Sequence, residues 1–241
     1  FKMIKEALAY LKNEFKKTEF YEVGKETYAN ENLQKIEEPV RKEVTVYSLS
    51  GLVDFIKDNF DNDKRLLVSV LNQQKIVVET QLNNNKKREI VIMSLAYTPT
   101  ICLDQFMSLE AFNIQLQSIF VKNDDVKNLL RILGNLRSSN IRNAGDNGVS
   151  QIVETKRGVT MAQEEVVPNP VRLKPFRTFT EIEQPESLFV FRLRESGNEI
   201  QAGLFEADGG AWKNVARLSI KDYLIENLKE QIENNSILII G

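Results

Sequence analysis

The stretch Arg65-Leu-Leu-Val-Ser-Val-Leu-Asn-Gln-Gln-Lys75-Ile-Val-Val-Glu-Thr-Gln-Leu-Asn-Asn-Asn85-Lys-Lys-Arg-Glu-Ile90-Val-Ile-Met-Ser-Leu95 decides the fold. It holds three apolar, β-branched runs, Arg65 to Leu71, Lys75 to Gln81 and Arg88 to Leu95. Asn72-Gln73-Gln74 and Asn83-Asn84-Asn85-Lys86-Lys87 part them, and both breaks have the composition of turns. Such runs pair as consecutive antiparallel hairpins, so the stretch predicts a meander.

Upstream, Val44-Thr45-Val46-Tyr47 predicts another strand. Ser48 or Ser50 is placed to cap a helix carrying Leu52, Val53, Phe55, Ile56 and Phe60 at helical spacing. Phe20 to Pro39 is polar and irregular, with Gly24 and Pro39 as punctuation, and reads as short strands or a connecting arm. The opening segment Phe1 to Lys17 aligns Phe1, Ile4, Leu8, Leu11 and Phe15 on one helical face, which needs a partner surface on the domain or on a second copy.

Downstream, Ser108 begins a helix with Phe112, Leu116, Ile119 and Phe120. Asn123 or Asp124 begins another with Val126, Leu129, Leu130 and Leu133, which Gly134 would end. Val149 to Val153 and Val159 to Met161 flank Lys156-Arg157-Gly158 like a hairpin, and Pro168, Pro170 and Pro175 confine the next stretch to edges and extended loops. Leu188 to Arg194 and Glu199 to Phe205 read as strands joined across Ser196-Gly197-Asn198. Asp208-Gly209-Gly210 turns the chain before Trp212, Ser219 is placed to cap a last helix through Tyr223, Leu224 and Leu228, and Ile237 to Ile240 reads as a short buried strand. Strands and helices are segregated and do not alternate, which predicts an α+β protein. It has mainly antiparallel sheets, a central helical hairpin and amphipathic N- and C-terminal helices. The expected division is an N-terminal helix and arm over 1–43 and an α+β domain over 44–241, the latter with subdomains 44–107 and 136–241 joined by helices 108–135.

The 241 residues suffice for a sizeable core, and 42% hydrophobic with 27% charged residues is ordinary globular composition. No apolar run approaches the roughly 18 residues of a membrane span, and charges interrupt the first segment where a secretory signal would be apolar. A single cysteine, Cys102, leaves no internal disulfide and points to the cytoplasm. The chain has no histidine, which excludes Ser-His-Asp and Cys-His hydrolases, His-ligated zinc and imidazole bases. Catalysis would have to rest on carboxylates, Lys, Tyr or Cys102, with an oxygen-bound Mg²⁺ or Ca²⁺. A net charge of −2 gives no global pull on nucleic acid. Between Arg137 and Arg177, however, seven basic residues face four acids, a mild basic tract with Phe176 and Phe179 as candidate stacking partners for single-stranded nucleic acid.

Four patterns carry candidate chemistry. Asp146 followed by Glu154-Thr-Lys156 resembles the PD-(D/E)xK nuclease arrangement, in which two carboxylates hold Mg²⁺ and the Lys positions water; acid-x-Lys on a solvated strand face looks the same. Asn143, Asn147, Gly148 and Glu154 brush the calcium-loop spacing, without a carboxylate in the first five positions. Glu206 and Asp208 share one strand face beside Gly209-Gly210 and Trp212, which suits either a cation or ligand site or a local Asp turn over a core Trp. Arg192 and Arg194 share a face opposite Phe189, Phe191 and Leu193, as a solvated face or as a pair for an anionic ligand. Cys102 sits among apolar neighbours as a small hydrophobe, and no Walker loop, Rossmann glycine motif or zinc pattern occurs.

Val44-Thr-Val-Tyr-Ser-Leu-Ser-Gly-Leu-Val-Asp54, Glu183-Gln-Pro-Glu-Ser-Leu-Phe-Val-Phe-Arg192 and Leu204-Phe-Glu-Ala-Asp-Gly-Gly-Ala-Trp212 resemble uncharacterised bacteriophage and prophage proteins of the YfdQ type. The resemblance runs from about Val44 onward and implies phage origin and expression in a bacterial cytoplasm; it carries no catalytic residues across. The expectation is a non-enzymatic phage accessory protein without a cofactor, a homo-oligomer that binds a host or phage component in counter-defence or DNA metabolism. The alternative is an Mg²⁺ nuclease using Asp146, Glu154 and Lys156. Nucleic acid is a further candidate partner and a membrane is not one.

Overall fold

The computed structural model describes residues 2–14, 18–23, 26–29, 39–137, 140–146, 151–156, 163–166, 168–197 and 199–241, with 13–14, 26, 137 and the strands between 140 and 166 described through their backbone. The chain divides into two compact units, Phe1–Val40 and Arg41–Gly241. In the first, α1 (Lys2–Glu14) carries Ile4, Leu8 and Leu11, which remain 62%, 60% and 50% exposed. Phe1, Phe15 and Gly24 lie outside the described residues. β1 (Phe20–Val23) and β2 (Glu26–Ala29) form an antiparallel ribbon with Tyr21 opposite Tyr28.

The second unit runs β3 (Val44–Val46), α2 (Leu49–Asp58), β4 (Leu66–Asn72), β5 (Lys75–Thr80), β6 (Ile90–Leu95), β7 (Phe106–Ser108), α3 (Leu109–Ile119) and α4 (Asp124–Arg137). It continues through β8 (Asn140–Asp146), β9 (Gln151–Lys156), β10 (Gln163–Val166), β11 (Val171–Leu173), β12 (Ser187–Ser196) and β13 (Glu199–Glu206). Last come α5 (Trp212–Asn227), α6 (Lys229–Glu233) and β14 (Ile237–Ile240). The fold is α+β with mostly antiparallel pairing, as expected.

One sheet has the order β14-β4-β5-β6-β3. The meander β4-β5-β6 is antiparallel, while β14 joins β4 and β3 joins β6 in parallel. Alternation along the strands sends Val68, Val70, Ile76, Val78, Ile92 and Ile237 to one face, against Leu49, Leu52, Val53 and Ile56 of α2 and Ile220 and Leu224 of α5. Ser48 caps α2, its Oγ accepting from Gly51 N–H at 3.0 Å. Glu181 Oε1 adds a carboxylate at the same helix end, accepting from Leu49 N–H at 2.7 Å.

The other large sheet has the order β11-β12-β13-β7 and is antiparallel throughout. Its inner face, with Val171, Leu173, Phe189, Phe191, Leu193, Ala202 and Leu204, packs on Phe112 and Leu116 of α3 and on Val126, Leu129, Ile132 and Leu136 of α4. The β8-β9-β10 ribbon pairs Asp146 with Gln151, Asn143 with Glu154, and Glu154 with Glu164. Arg157-Gly158, Val159 to Met161, Asn147-Gly148 and Val149-Ser150 lie outside the described residues.

β14, read from the sequence as a buried strand, buries Ile237 but leaves Leu238 and Ile240 48% and 44% exposed at the sheet edge, and three details of the helices also differ from the sequence reading. Gly134 does not end α4, which continues to Arg137 with Leu136 only 2% exposed. Burying a leucine contributes about 1.5–3 kcal/mol, more than the roughly 1 kcal/mol that an interior glycine costs. Ser219 lies inside α5, which begins at Trp212 because Ala216, Ile220 and Leu224 extend the buried stripe in four-residue steps. Phe60 lies beyond α2 and is 79% exposed, because Asn59 adopts φ 48° and turns the chain out of the helix. No helix among the described residues is long and apolar enough to cross a membrane.

Candidate functional site

The turn Asp208-Gly209-Gly210 takes positive φ at both glycines, 63° and 79°, and Asp208 Oδ1 accepts from Gly210 N–H at 2.9 Å. That turn delivers Trp212 to the start of α5 and leaves Glu206 and Asp208 beside the edge of β12. The two carboxylates and the indole, all candidates from the sequence, are indeed brought together, and the residue at their centre is Arg177. Its side chain is buried, with Nη1 donating to Glu206 Oε1 at 2.8 Å and the guanidinium lying 3.7 Å over the Trp212 ring. Nη2 donates to Ser187 Oγ, and Ser187 Oγ donates to Asp208 Oδ2.

Burial pushes the Arg177 pKa down to about 10, opposed by Glu206 and Asp208, so the group is a cation at neutral pH. Arg177 thus supplies to these carboxylates the positive charge that a metal cation would otherwise bring. Among the described residues no group of three or more His, Cys, Asp or Glu is arranged to hold a metal ion. Two donors in the cluster, Arg177 Nε and Trp212 Nε1, have no acceptor among the described residues.

The same segment ties the two large sheets together. Gln184 Oε1 accepts from Arg177 N–H at 3.0 Å, its Nε2 donates to Phe179 O at 2.9 Å, and Thr178 Oγ1 donates to Gln73 O in the β4-β5 turn at 2.5 Å. Gln74 Nε2 donates back to Arg177 O at 3.2 Å. Phe179, a candidate stacking residue in the sequence, is 2% exposed in the core of the β14-β4-β5-β6-β3 sheet, because this anchoring turns it inward. Phe176 is half-buried and its N–H donates to Ile119 O. Cys102 is half-buried, its backbone held from both sides by the Gln115 amide and its Sγ accepting from Gln105 Nε2.

Arg192 and Arg194 stand on the opposite, outer face of β12, as alternation predicts. Register adds Gln201, Gly203 and Phe205 from β13, Phe106 and Ser108 from β7, and Arg172 from β11 to that face. The Arg194 guanidinium lies 4.2 Å over Phe106, and Phe106 meets Phe205 edge-on at 5.3 Å. Gly203 is required between the rings: a Cβ there would stand 2.9 Å from Gln105 O, 3.1 Å from Phe205 and 3.3 Å from Phe106. Arg172 is exposed and pairs with Glu186 at 3.2 Å, and Arg194 donates to Gln201 Oε1. Among the described residues of these strands, Glu199 at the hairpin tip is the one acid at outer-face register.

Phe106 and Phe205 were not singled out in the sequence. An aromatic at an odd position of β13, where even positions fill the core, is the signal that was there to find. Arg177 entered only as one charge of the basic tract, and nothing local marks it as the buried one. The side chains of Asp146, Glu154 and Lys156 lie outside the described residues; their backbone register sets Glu154 three positions from Gln151, the partner of Asp146. No family model, curated protein or solved structure matches the chain.

Proposed function

We propose that the protein is a non-enzymatic phage accessory protein of the bacterial cytoplasm, acting in DNA metabolism by holding single-stranded nucleic acid on the outer face of the β11-β12-β13-β7 sheet. The observation that carries this reading is the juxtaposition of Arg172, Arg192 and Arg194 with the Phe106–Phe205 pair on one half-open sheet face. Arginines neutralise phosphates, and flat guanidinium and aromatic surfaces accept bases of any sequence. The phage origin follows the resemblance to YfdQ-type prophage proteins, and the absence of histidine removes imidazole-based chemistry from the alternatives to binding.

The test is fluorescence anisotropy of a labelled single-stranded oligonucleotide over a range of salt. Phosphate contacts from the two exposed arginines, Arg172 and Arg194, would give a slope of log K against log salt of about −1.4, from about −0.7 per contact on single strands. Removing a stacking ring costs about 1–3 kcal/mol, so Phe205→Ala is expected to weaken binding by about 5- to 150-fold. Absence of binding, or binding indifferent to Arg194→Ala and Phe205→Ala, overturns the reading in favour of a protein partner and counter-defence. Cleavage on adding Mg²⁺ that disappears in Glu154→Ala replaces it with the nuclease.

A further inference from the structure

The β14-β4-β5-β6-β3 sheet has a second face that its own helices do not use. Opposite the residues packed on α2 and α5, register aligns Leu67, Val77, Met93, Leu238 and Ile240, with Leu71 following at the register shift of β4, and none of these joins either core cluster of the described residues. Leu71, Leu238 and Ile240, toward the β14 side of this face, are 54%, 48% and 44% exposed, while Val77 and Ser69 in its middle are 6% and 7% exposed. An apolar sheet face of this kind is stable only against a further layer.

We propose that the layer is the same face of a second copy, in a two-fold dimer centred on β5. The argument is charge complementarity. β5 is the middle strand, and at this face it reads Lys75, Val77, Glu79, an apolar centre with opposite charges two residues to either side. A two-fold axis between stacked sheets, passing over Val77 and perpendicular to the strand, reverses β5. Lys75 then falls opposite the partner's Glu79, and Glu79 opposite the partner's Lys75. Sheets in such a sandwich stack about 10 Å apart, a gap that extended Lys and Glu side chains span together. Neither Lys75 nor Glu79 has an ion pair among the described residues, so both are available to one. A polyanion would match the lysine and be repelled by the glutamate; a second copy satisfies both at once.

The face is separate from the arginine face of the other sheet, so this dimer stands or falls independently of nucleic-acid binding. The test is the mass of the full chain in solution by sedimentation equilibrium. The wild type is expected to be a dimer, Lys75→Glu and Glu79→Lys each to weaken it by about tenfold or more, and the double exchange K75E/E79K to restore it. Leu238→Asp, at an exposed position of an edge strand, is expected to give a folded monomer whatever the fate of the charge variants. A monomeric wild type overturns the proposal. So do single charge reversals that stay fully dimeric, a double exchange that remains monomeric with wild-type thermal unfolding, or a Leu238→Asp protein that still dimerises.

Discussion

Arg177 shows how a charge that looks like surface in a sequence becomes the most constrained group in the fold. It is 4% exposed, pairs with Glu206 and covers Trp212, so removing it strands a carboxylate in a poorly solvated place. Arg177→Ala is expected to lower stability by about 3–5 kcal/mol in urea unfolding, and R177M/E206L to recover much of that loss, because the double change removes both charges. The exposed Lys174–Glu183 pair behaves differently. Lys174 holds the Glu183 carboxyl below its ordinary value of 4.5, chiefly through their hydrogen bond. The unfolded chain therefore binds the proton first as pH falls, and the pair's contribution is complete above 4.5 and lost as pH drops through the lowered value. A double-mutant cycle with Lys174→Ala and Glu183→Ala should show coupling at neutral pH that vanishes in acid and shrinks with salt.

Among the elements, local rules and tertiary packing divide the outcome. The hairpins of β4-β5-β6 and β12-β13 were legible because period-two alternation and turn composition agree there, as were the caps at Ser48 and Ser108, which bond Gly51 and Ala111. Gly134 was misread because a glycine near an apolar run's end signals a stop only when nothing further along is worth burying. Leu136 is, and it draws α4 on by another turn. A Cβ at Gly134 would meet nothing within 4 Å, so Gly134→Ala is expected to raise stability by about 0.5–1 kcal/mol, read as a higher thermal midpoint. β8 was not read from the sequence, nor were the parallel pairings of β3 with β6 and of β14 with β4, since pairing direction depends on where a strand is delivered and not on its composition.

For the whole molecule, fold class was readable and the assembly of the large sheets was not. Glu206, Asp208 and Trp212 are close in sequence and were found together; the arginine face gathers four strands from 106 to 205, and the cluster needs Arg177 from a separate loop. Spacing rules see only the first kind of proximity. The unit from Arg41 onward has both core clusters within it. Deleting 1–40 is therefore expected to leave cooperative unfolding with a thermal midpoint within a few degrees of the full chain, measurable by calorimetry.

The parallel pairing of β14 with β4 sets a timetable for synthesis. Arg65 and Asn235, at the mouths of the two strands, bond across 170 positions of chain. At about 5–20 residues per second, a ribosome needs roughly 10 to 30 seconds between making the first and the second. Throughout that interval the nascent β4 has one unsatisfied edge, and α5, the later of the two helices that shield its apolar side, is made only near the end of it. The part of the chain that folds last is thus the part that closes what was made early, and a stalled or truncated translation product would present a sticky strand to its surroundings.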